Sequence, residues 1–478
     1  MPLLVYLSAF IRVYPWFSLI HSVKFPIPHS LCPSMPGETR PILKLALPLI
    51  IGQLGQMLLG VADTVIVARV GVLDVAALAF SNVLFHVPLV FGIGVLTCIS
   101  VRTANARGAN DTAAARAAGL NGFWLSLGLG LVLFALMAAL TPNLRWFGQP
   151  ADVTARAPMF YLILMASLIP ALAGIGLKNH ADAMNRPWPP FWIFLGGVGL
   201  NVVLAIAMVF GKFGLPALGL EGAGWATLIA RWAMVAAMLV WLRGCRSLSG
   251  WVPERWFARP EIAALKHLLV IGLPASLQML CEVGAFTTAG LLVGRFGTDA
   301  LASHQIALTC AATAFMVPLG LSMALTVRIG EAYGAGELSR LRPIALSGWA
   351  LAFAFTFLSG GTFLLAGESW SRLFVTDPNV IRLSASLLVI VGVFQIFDGI
   401  QVASAAMLRG LHDVRLPALL GFVSYWLVGL PVAAWLAFGL NLGPRGVWWG
   451  LASGLAAAAL VLTPRLWRKT RECPSHSM

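Results

Sequence analysis

Long apolar stretches dominate this chain, and they decide what it can fold into. A helix needs about 20 apolar residues to cross the hydrocarbon core of a membrane. Of 478 residues, 59% are hydrophobic and 10% are charged, whereas a soluble domain carries about 25% charged residues. The stretches are continuously apolar and do not alternate, which excludes a membrane β-barrel. The sequence therefore predicts an all-α polytopic membrane protein with twelve spans, near 43–68, 76–101, 119–141, 159–178, 190–211, 222–242, 267–293, 300–327, 345–366, 383–406, 417–439 and 446–464.

The 32 Lys and Arg residues are divided unevenly between the two sides of these spans. One side, which includes both termini, carries 23; the other carries 8; Arg231 lies inside span 6. Basic residues concentrate in cytoplasmic loops, so both termini are expected in the cytoplasm. Because the basic residues punctuate apolar runs and form no folded basic face, nucleic-acid binding is not expected.

An internal repeat divides the spans into two sets of six. Leu47-Pro48 matches Leu273-Pro274, and the VARVG motif at 67–71 matches VGRFG at 293–297, both at an offset of 226. An even number of spans per repeat gives two parallel lobes related by a pseudo-two-fold axis along the membrane normal. The predicted units are an extension (1–40, disordered or an incorrectly assigned start), an N-lobe (41–242), a basic cytoplasmic linker (243–266), a C-lobe (267–465) and a tail (466–478).

A cavity between two such lobes is typical of secondary transporters. The chain lacks the GxxxxGK[ST] motif of a nucleotide-binding loop, so ATP is not the expected energy source. A membrane-embedded enzyme would need paired metal-binding acids at the membrane edge, and none are found. No cofactor is expected.

Three acidic residues lie within spans, where ionisable groups are costly and are functional candidates by default. Asp63 lies in the outer third of span 1, whereas Glu282 and Asp398 lie near mid-membrane in spans 7 and 10. Their alternative is a structural role, for example an ion pair with Arg231. Asp182, between Lys178 and Arg186, is expected at a solvated loop edge.

Further polar and aromatic side chains are candidates for lining the cavity. An in-span Gln is more often a helix–helix contact than a ligand contact. The candidates are Gln53, Gln56, Gln278, Phe394, Gln395 and Gln401.

At these residues the chain resembles the multidrug and toxic compound extrusion (MATE) family, in its NorM-type bacterial branch. The similarity covers about 36–465 and is carried by Val61-Ala62-Asp63-Thr64, by Pro274 with Glu282, and by the run QIFDGIQVASAAMLRG at 395–410. It implies an antiporter of the bacterial inner membrane that expels cationic drugs and dyes and uses an H+ or Na+ gradient. The protein is expected to act as a monomer in the lipid bilayer. It also implies coupling-ion or substrate binding by Asp63, Glu282 and Asp398.

The coupling ion is predicted to be H+, with Na+ as the alternative. Some Na+-driven relatives carry Tyr four residues before the span-10 acid, where this chain has Phe394. Asp63 is predicted as the principal coupling residue, and Glu282 with Asp398 as a shared cation site that could also accept Na+. The alternative function is a lipid-linked saccharide flippase of the same superfamily, although its cavity would be strongly cationic.

Overall fold

The computed structural model describes residues 36–472, except for the side chains of residues 36, 58, 59, 61, 62 and 472. Within this range, eleven helices are long and apolar enough to cross a membrane, and a 32-residue helix precedes them. The first six are α1 (Pro36–Val67), α2 (Val72–Gly108), α3 (Thr112–Ala138), α4 (Pro158–Ala183), α5 (Trp188–Phe210) and α6 (Leu220–Gly244). The others are α7 (Ile262–Gly294), α8 (Thr298–Gly334), α9 (Leu338–Arg372), α10 (Pro378–Gly410), α11 (Arg415–Gly439) and α12 (Pro444–Glu472).

The repeat predicted from the sequence is visible in the helix ends. α2 and α8 begin at Val72 and Thr298 and end at Gly108 and Gly334, so both ends are separated by 226 residues. α1–α6 form the N-lobe and α7–α12 the C-lobe, which confirms the predicted two-lobed all-α fold.

Glycines at matching positions of the repeat allow the last two helices of each lobe to pack closely. Gly219 and Gly443 precede α6 and α12 with φ of 57° and 58°, a left-handed conformation that glycine adopts readily. A Cβ on Gly222 would overlap the backbone of Met208. A Cβ on its repeat mate, Gly446, would likewise overlap the backbone at Ala437. The matched residues therefore serve helix packing.

The segment between α6 and α7 is held against the N-lobe. Trp256 is fully buried and meets the ring of Phe123 edge-on at 5.9 Å between centroids. The indole Nε1 of Trp124 donates to the carbonyl oxygen of Ala258 at 2.8 Å. The predicted basic linker 243–266 thus contacts α3 through aromatic side chains.

The boundaries of two predicted terminal units need correction. The sequence predicts an extension over 1–40, but α1 begins at Pro36, so residues 36–40 are helical; residues 1–35 lie outside the described range. The sequence predicts a tail over 466–478, but α12 continues to Glu472, and residues 473–478 are outside the described range. Charged residues mark the ends of the apolar stretches in the sequence, but both helices extend beyond these stretches.

The two lobes pack closely on the membrane side where α1 begins and α12 ends, here called the terminal side. A Cβ on Gly272 of α7 would overlap the carbonyl of Val95 on α2. Near the ends of α2 and α8, a Cβ on Gly334 would likewise overlap the backbone of Asn105. The absence of side chains at these glycines permits backbone contact between lobes.

Ion pairs join the lobes at the same level. Glu38 of α1 binds Arg328 of α8 and Arg340 of α9, each with an N···O distance of 2.8 Å. Glu331 of α8 lies 3.9 Å from Arg107 of α2. Burial alone would raise the pKa of Glu38, but hydrogen bonds from Arg328 and Arg340 outweigh burial and hold that pKa below its usual value. The ionised Glu38 side chain therefore links the two lobes by ion pairs.

Candidate functional site

A cavity of about 1020 Å³ lies between the lobes. It extends from Leu301, near the start of α8, to Arg409, near the end of α10. Its walls are mainly apolar and aromatic, which suits a large lipophilic ligand. The aromatic lining consists of Phe85, Phe191, Phe194, Phe286, Phe315 and Phe394.

All three acids predicted from the sequence lie on the cavity wall. Asp63 comes from α1, Glu282 from α7 and Asp398 from α10. Asp63 Oδ1 and Asp398 Oδ1 are buried and have no hydrogen-bond partner among the described residues. Buried carboxyl oxygens are costly when unpaired, so these atoms are suited to bind something that the protein itself does not supply.

In the N-lobe, Asp63 faces one cationic side chain. The guanidinium of Arg231, from α6, interacts electrostatically with Asp63, but the described ion pairs within 4.0 Å do not include these two groups. Arg231 is instead held by Ser167, whose Oγ accepts from Nη1 at 2.5 Å, and it lies 4.8 Å from the ring centroid of Phe85. The alternative role considered for Asp63, a direct ion pair with Arg231, is therefore not formed here.

In the C-lobe, Glu282 and Asp398 interact electrostatically with each other, as their similar predicted depth implied. Arg409, also on the cavity wall, faces Glu282. Asp398 is 6% exposed. Two acids and one cation thus converge where α7 and α10 meet the cavity.

The neutral candidates divide into lining and buried residues. Gln53, Gln56, Gln278, Phe394 and Gln401 line the cavity. Gln395 does not belong to this lining and requires correction. Its Nε2 donates to the carbonyl oxygen of Ala311 at 3.2 Å, and its Oε1 accepts from Ser359 Oγ at 3.1 Å. Gln395 therefore joins α10 to α8 and α9, as a helix–helix contact.

Several polar side chains on the cavity wall were not predicted, and Thr227 and Arg409 are two of them. Thr227 lines the N-lobe wall and accepts a hydrogen bond from buried Asn201 at 3.0 Å. Arg409 lies beyond the predicted end of span 10 at residue 406, and the match of Ala406-Met407-x-Arg409 to Ala183-Met184-x-Arg186 in the other repeat is a sequence signal that marks it. Thr227 is a neutral residue in an apolar span, and no feature of the sequence marked it as a candidate for the cavity wall.

Asp182 also differs from its prediction. Its Oδ2 accepts from Lys178 Nζ at 2.6 Å, and the two side chains are only 6% and 10% exposed. It forms a buried ion pair, where a solvated loop edge was expected. No group of three or more His, Cys, Asp or Glu side chains within the described range could hold a metal ion.

Comparisons with known proteins agree with this architecture. The family model MatE matches residues 48–207 and 274–435. A probable multidrug resistance protein NorM from Pseudomonas putida is 36% identical over 89% of this chain and 93% of its own. The multidrug resistance protein NorM of Burkholderia vietnamiensis is 37% identical over 92% and 96%.

Solved structures show the same fold. The eukaryotic MATE transporter AtDTX14 superposes with a TM-score of 0.81 at 21% identity, over 91% of this chain and 98% of that one. A structure described as the outward-facing conformation of a multidrug resistance MATE family transporter gives 0.82 at 22% identity, over 92% and 97%.

Proposed function

The chain belongs to the MATE family of membrane transporters, in its NorM-type branch, and from this premise we propose that it is a secondary antiporter which exports lipophilic organic cations in exchange for H+. Its place is the bacterial inner membrane, with both termini in the cytoplasm, and it acts as a monomer. The relatives named for multidrug resistance support the substrate class, and the 23-to-8 division of basic residues supports the orientation.

The acids on the cavity wall carry this proposal. A lipophilic cation that leaves water can recover part of its lost hydration energy next to a buried carboxylate, whereas an anion is repelled. Asp63, Glu282 and Asp398 outnumber the cavity cations Arg231 and Arg409. The balance favours a cationic drug over the anionic diphosphate that a saccharide flippase would bind.

Coupling follows from competition for the same carboxylates. In an antiporter, binding of the drug must weaken binding of the ion, and binding of the ion must weaken binding of the drug. An ionised Asp63 attracts a cationic drug, and a protonated Asp63 does not. We assign H+ coupling mainly to Asp63, and we assign Glu282 and Asp398 to a shared cation site, where Na+ is the alternative ion.

Alternating access is expected to proceed by rocking of the lobes. The close contacts Gly272–Val95 and Gly334–Asn105 lie on the terminal side, while the cavity reaches Leu301 near the opposite end of α8. With the termini in the cytoplasm, close contact between the lobes on that side is what we expect of an outward-facing state. The inward-facing state would require these contacts to separate.

Dye transport in proteoliposomes tests the proposal. An imposed pH gradient is expected to drive movement of a fluorescent cation, and an imposed Na+ gradient alone is not. Asp63→Asn should abolish pH-driven transport, and Glu282→Gln and Asp398→Asn should weaken dye binding. Asp299→Asn, at the exposed start of α8, is the matched control and should transport normally. Transport driven by Na+ alone, normal transport by Asp63→Asn, or export of anions would contradict the assignment.

A further inference from the structure

A second cavity, of about 640 Å³, opens in the C-lobe on the terminal side. It lies between the start of α9 and the end of α12. Its wall is formed by Leu338, Ser339, Arg342, Thr470 and Arg471. Two of these side chains are cationic and none is acidic. The cavity shares no lining residue with the one between the lobes, and no step of the proposed transport cycle uses it.

Arg342 is held in the cavity wall by an aromatic ring and has a donor left unpaired. The guanidinium carbon of Arg342 lies 4.9 Å from the ring centroid of Trp467 on α12. Stacking uses the face of a guanidinium and leaves the N–H groups at its edge available, and Arg342 Nε is buried without a partner among the described residues. Arg340, a neighbour on α9, is neutralised by two carboxylates, whereas the described ion pairs include neither Arg342 nor Arg471. Unpaired guanidinium groups of this kind match the oxygens of a phosphate.

The two helices that flank the cavity are joined by aromatic and polar contacts. Trp467 stacks on Trp349 of α9, with 6.4 Å between the ring centroids. Trp349 Nε1 donates to Ser404 Oγ of α10 at 2.9 Å, and Ser404 Oγ lies 3.3 Å from Thr463 Oγ1 of α12. These contacts fix the indole of Trp467, and with it the position of the Arg342 guanidinium.

Exposed apolar side chains continue from Arg342 along one face of α9. Leu346, Trp349, Phe353 and Phe357 follow Arg342 at intervals of three or four residues, which places them on the same side of the helix. Leu346, Phe353 and Phe357 are 36%, 46% and 62% exposed. At 1.5 Å per residue, Phe353 lies about 16 Å along the helix from Arg342, which is about half of the 30 Å hydrocarbon core. The apolar face therefore has the length of an acyl chain in one leaflet.

A phosphate that carries acyl chains would contact both the cationic cavity and the apolar face, whereas free phosphate would contact the cavity alone. The orientation proposed above puts the terminal side at the cytoplasmic leaflet, whose anionic headgroups attract basic side chains. Basic pockets between membrane helices on that side are suited to such headgroups. Charge and shape therefore favour an anionic phospholipid.

We propose that Ser339, Arg342 and Arg471 form a binding site for the phosphate headgroup of an anionic phospholipid, whose acyl chain lies along Leu346 and Phe353. The two guanidinium groups donate to the phosphate oxygens. The hydroxyl of Ser339, an exposed residue in the first turn of α9, is a further donor. This inference goes beyond the proposed antiport, from which it takes only the orientation in the membrane.

Thermal unfolding of the purified full-length protein in detergent tests this site, because a ligand that binds only the folded state raises the melting temperature with its concentration. Dioleoyl phosphatidylglycerol is titrated against dioleoyl phosphatidylcholine, which has the same chains and no net charge. Phosphatidylglycerol is expected to stabilise the wild type more. Arg342→Gln with Arg471→Gln should raise the concentration for half-maximal stabilisation at least about tenfold, since charge-assisted hydrogen bonds to the phosphate are lost. Should this double variant not fold, Arg471→Gln alone, at an exposed residue, should also weaken binding.

A matched control removes two arginines elsewhere on the terminal side. Arg243, at the end of α6, lies 6.0 Å from the ring centroid of Phe257, and Arg246 follows in the linker; both arginines are exposed. Arg243→Gln with Arg246→Gln removes the same net charge and should leave the phosphatidylglycerol titration unchanged. An equal loss in both double variants would show a general attraction to basic side chains and would overturn the site.

The source of the phosphate is tested by two further measurements. Sodium phosphate, compared with sodium chloride at equal ionic strength, should not reproduce the stabilisation, and Phe353→Ser should weaken the effect of phosphatidylglycerol. Stabilisation by phosphate alone would overturn the lipid assignment in favour of a soluble phosphate. Equal stabilisation by the two lipids, or an unchanged titration in the Arg342→Gln, Arg471→Gln variant, would overturn the site itself. Failure of the proposed transport is distinguishable, because absent dye movement in proteoliposomes would leave these titrations as they are.

Discussion

Arg231 places a fixed positive charge on the N-lobe wall of a cavity that we propose binds cations. Ser167 and Phe85 hold its guanidinium in place, and it interacts electrostatically with Asp63 of the same lobe. A cationic drug at Asp63 must therefore compete with a cation that the protein carries itself. This competition would release the drug more easily.

Neutralising Arg231 should therefore tighten drug binding. Two unit charges about 8 Å apart interact by about 2 kcal/mol at an effective dielectric constant of 20. We expect Arg231→Gln to lower the Kd of a monovalent cationic dye roughly tenfold, measured by fluorescence anisotropy. Arg231→Lys keeps the charge and should bind like the wild type. Equal affinity in Arg231→Gln would show that Arg231 does not compete with the drug.

Single residues also mark where sequence reasoning reaches its limit. The in-span acids were predictable because an ionisable group inside an apolar run is unusual wherever it packs. Asp182 was misplaced because hydropathy along the chain does not reveal that a charge at a helix end is covered by neighbouring helices.

Among the helices, the ends on the terminal side matter most for holding the lobes together. Spans 2 and 8 were predicted to end at 101 and 327, but α2 and α8 continue to Gly108 and Gly334. Arg107 and Arg328 lie in these extensions and form ion pairs with Glu331 and Glu38. Charged residues beyond the predicted ends of these spans are thus among the groups that join the lobes.

Removing the carboxylate of Glu38 should weaken this junction in a pH-dependent way. Because the folded-state pKa is lowered, the ion pairs stabilise the protein fully above the usual Glu pKa of about 4.3, and this stabilisation is lost as pH falls through the folded value. Glu38→Gln should cost about 2–3 kcal/mol at pH 7 and much less near pH 3. Melting temperatures at both pH values measure the difference.

Glu337→Gln is the control for Glu38, since Glu337 pairs with Arg340 inside the C-lobe and is 47% exposed. It should change stability little at either pH. If Glu38→Gln destabilises the protein equally at pH 7 and pH 3, the negative charge of Glu38 does not hold the lobes together.

At the scale of the whole molecule, the two-lobed arrangement was predictable and the conformational state was not. A six-span repeat gives parallel lobes whatever the loops contain. The side on which the lobes touch depends on residues such as Gly272 and Gly334. In one conformational state these residues are packed between the lobes, and in the other they line the cavity. Hydropathy is similar in both settings, so the sequence alone does not distinguish an outward-facing from an inward-facing state.

A disulfide across the lobes on the terminal side should therefore arrest transport. A Cβ on Gly330 of α8 would lie 3.1 Å from the Cβ of Ala104 on α2, slightly closer than the 3.5–4.5 Å typical of a disulfide. Ala104→Cys with Gly330→Cys, in a background without the native cysteines, should cross-link when oxidised. If transport requires the lobes to rock apart there, oxidation should abolish pH-driven dye movement, and reduction should restore it.

The control places the same bond inside one lobe. A Cβ on Gly176 of α4 would also lie 3.1 Å from the Cβ of Ser126 on α3, and both helices belong to the N-lobe. Rigid-body rocking leaves distances within a lobe unchanged, so oxidised Ser126→Cys with Gly176→Cys should transport at the reduced protein's rate. Arrest by both cross-links would indicate that the N-lobe itself must deform. Full transport by the inter-lobe cross-linked protein would exclude separation of the lobes at Ala104 as a step of the cycle.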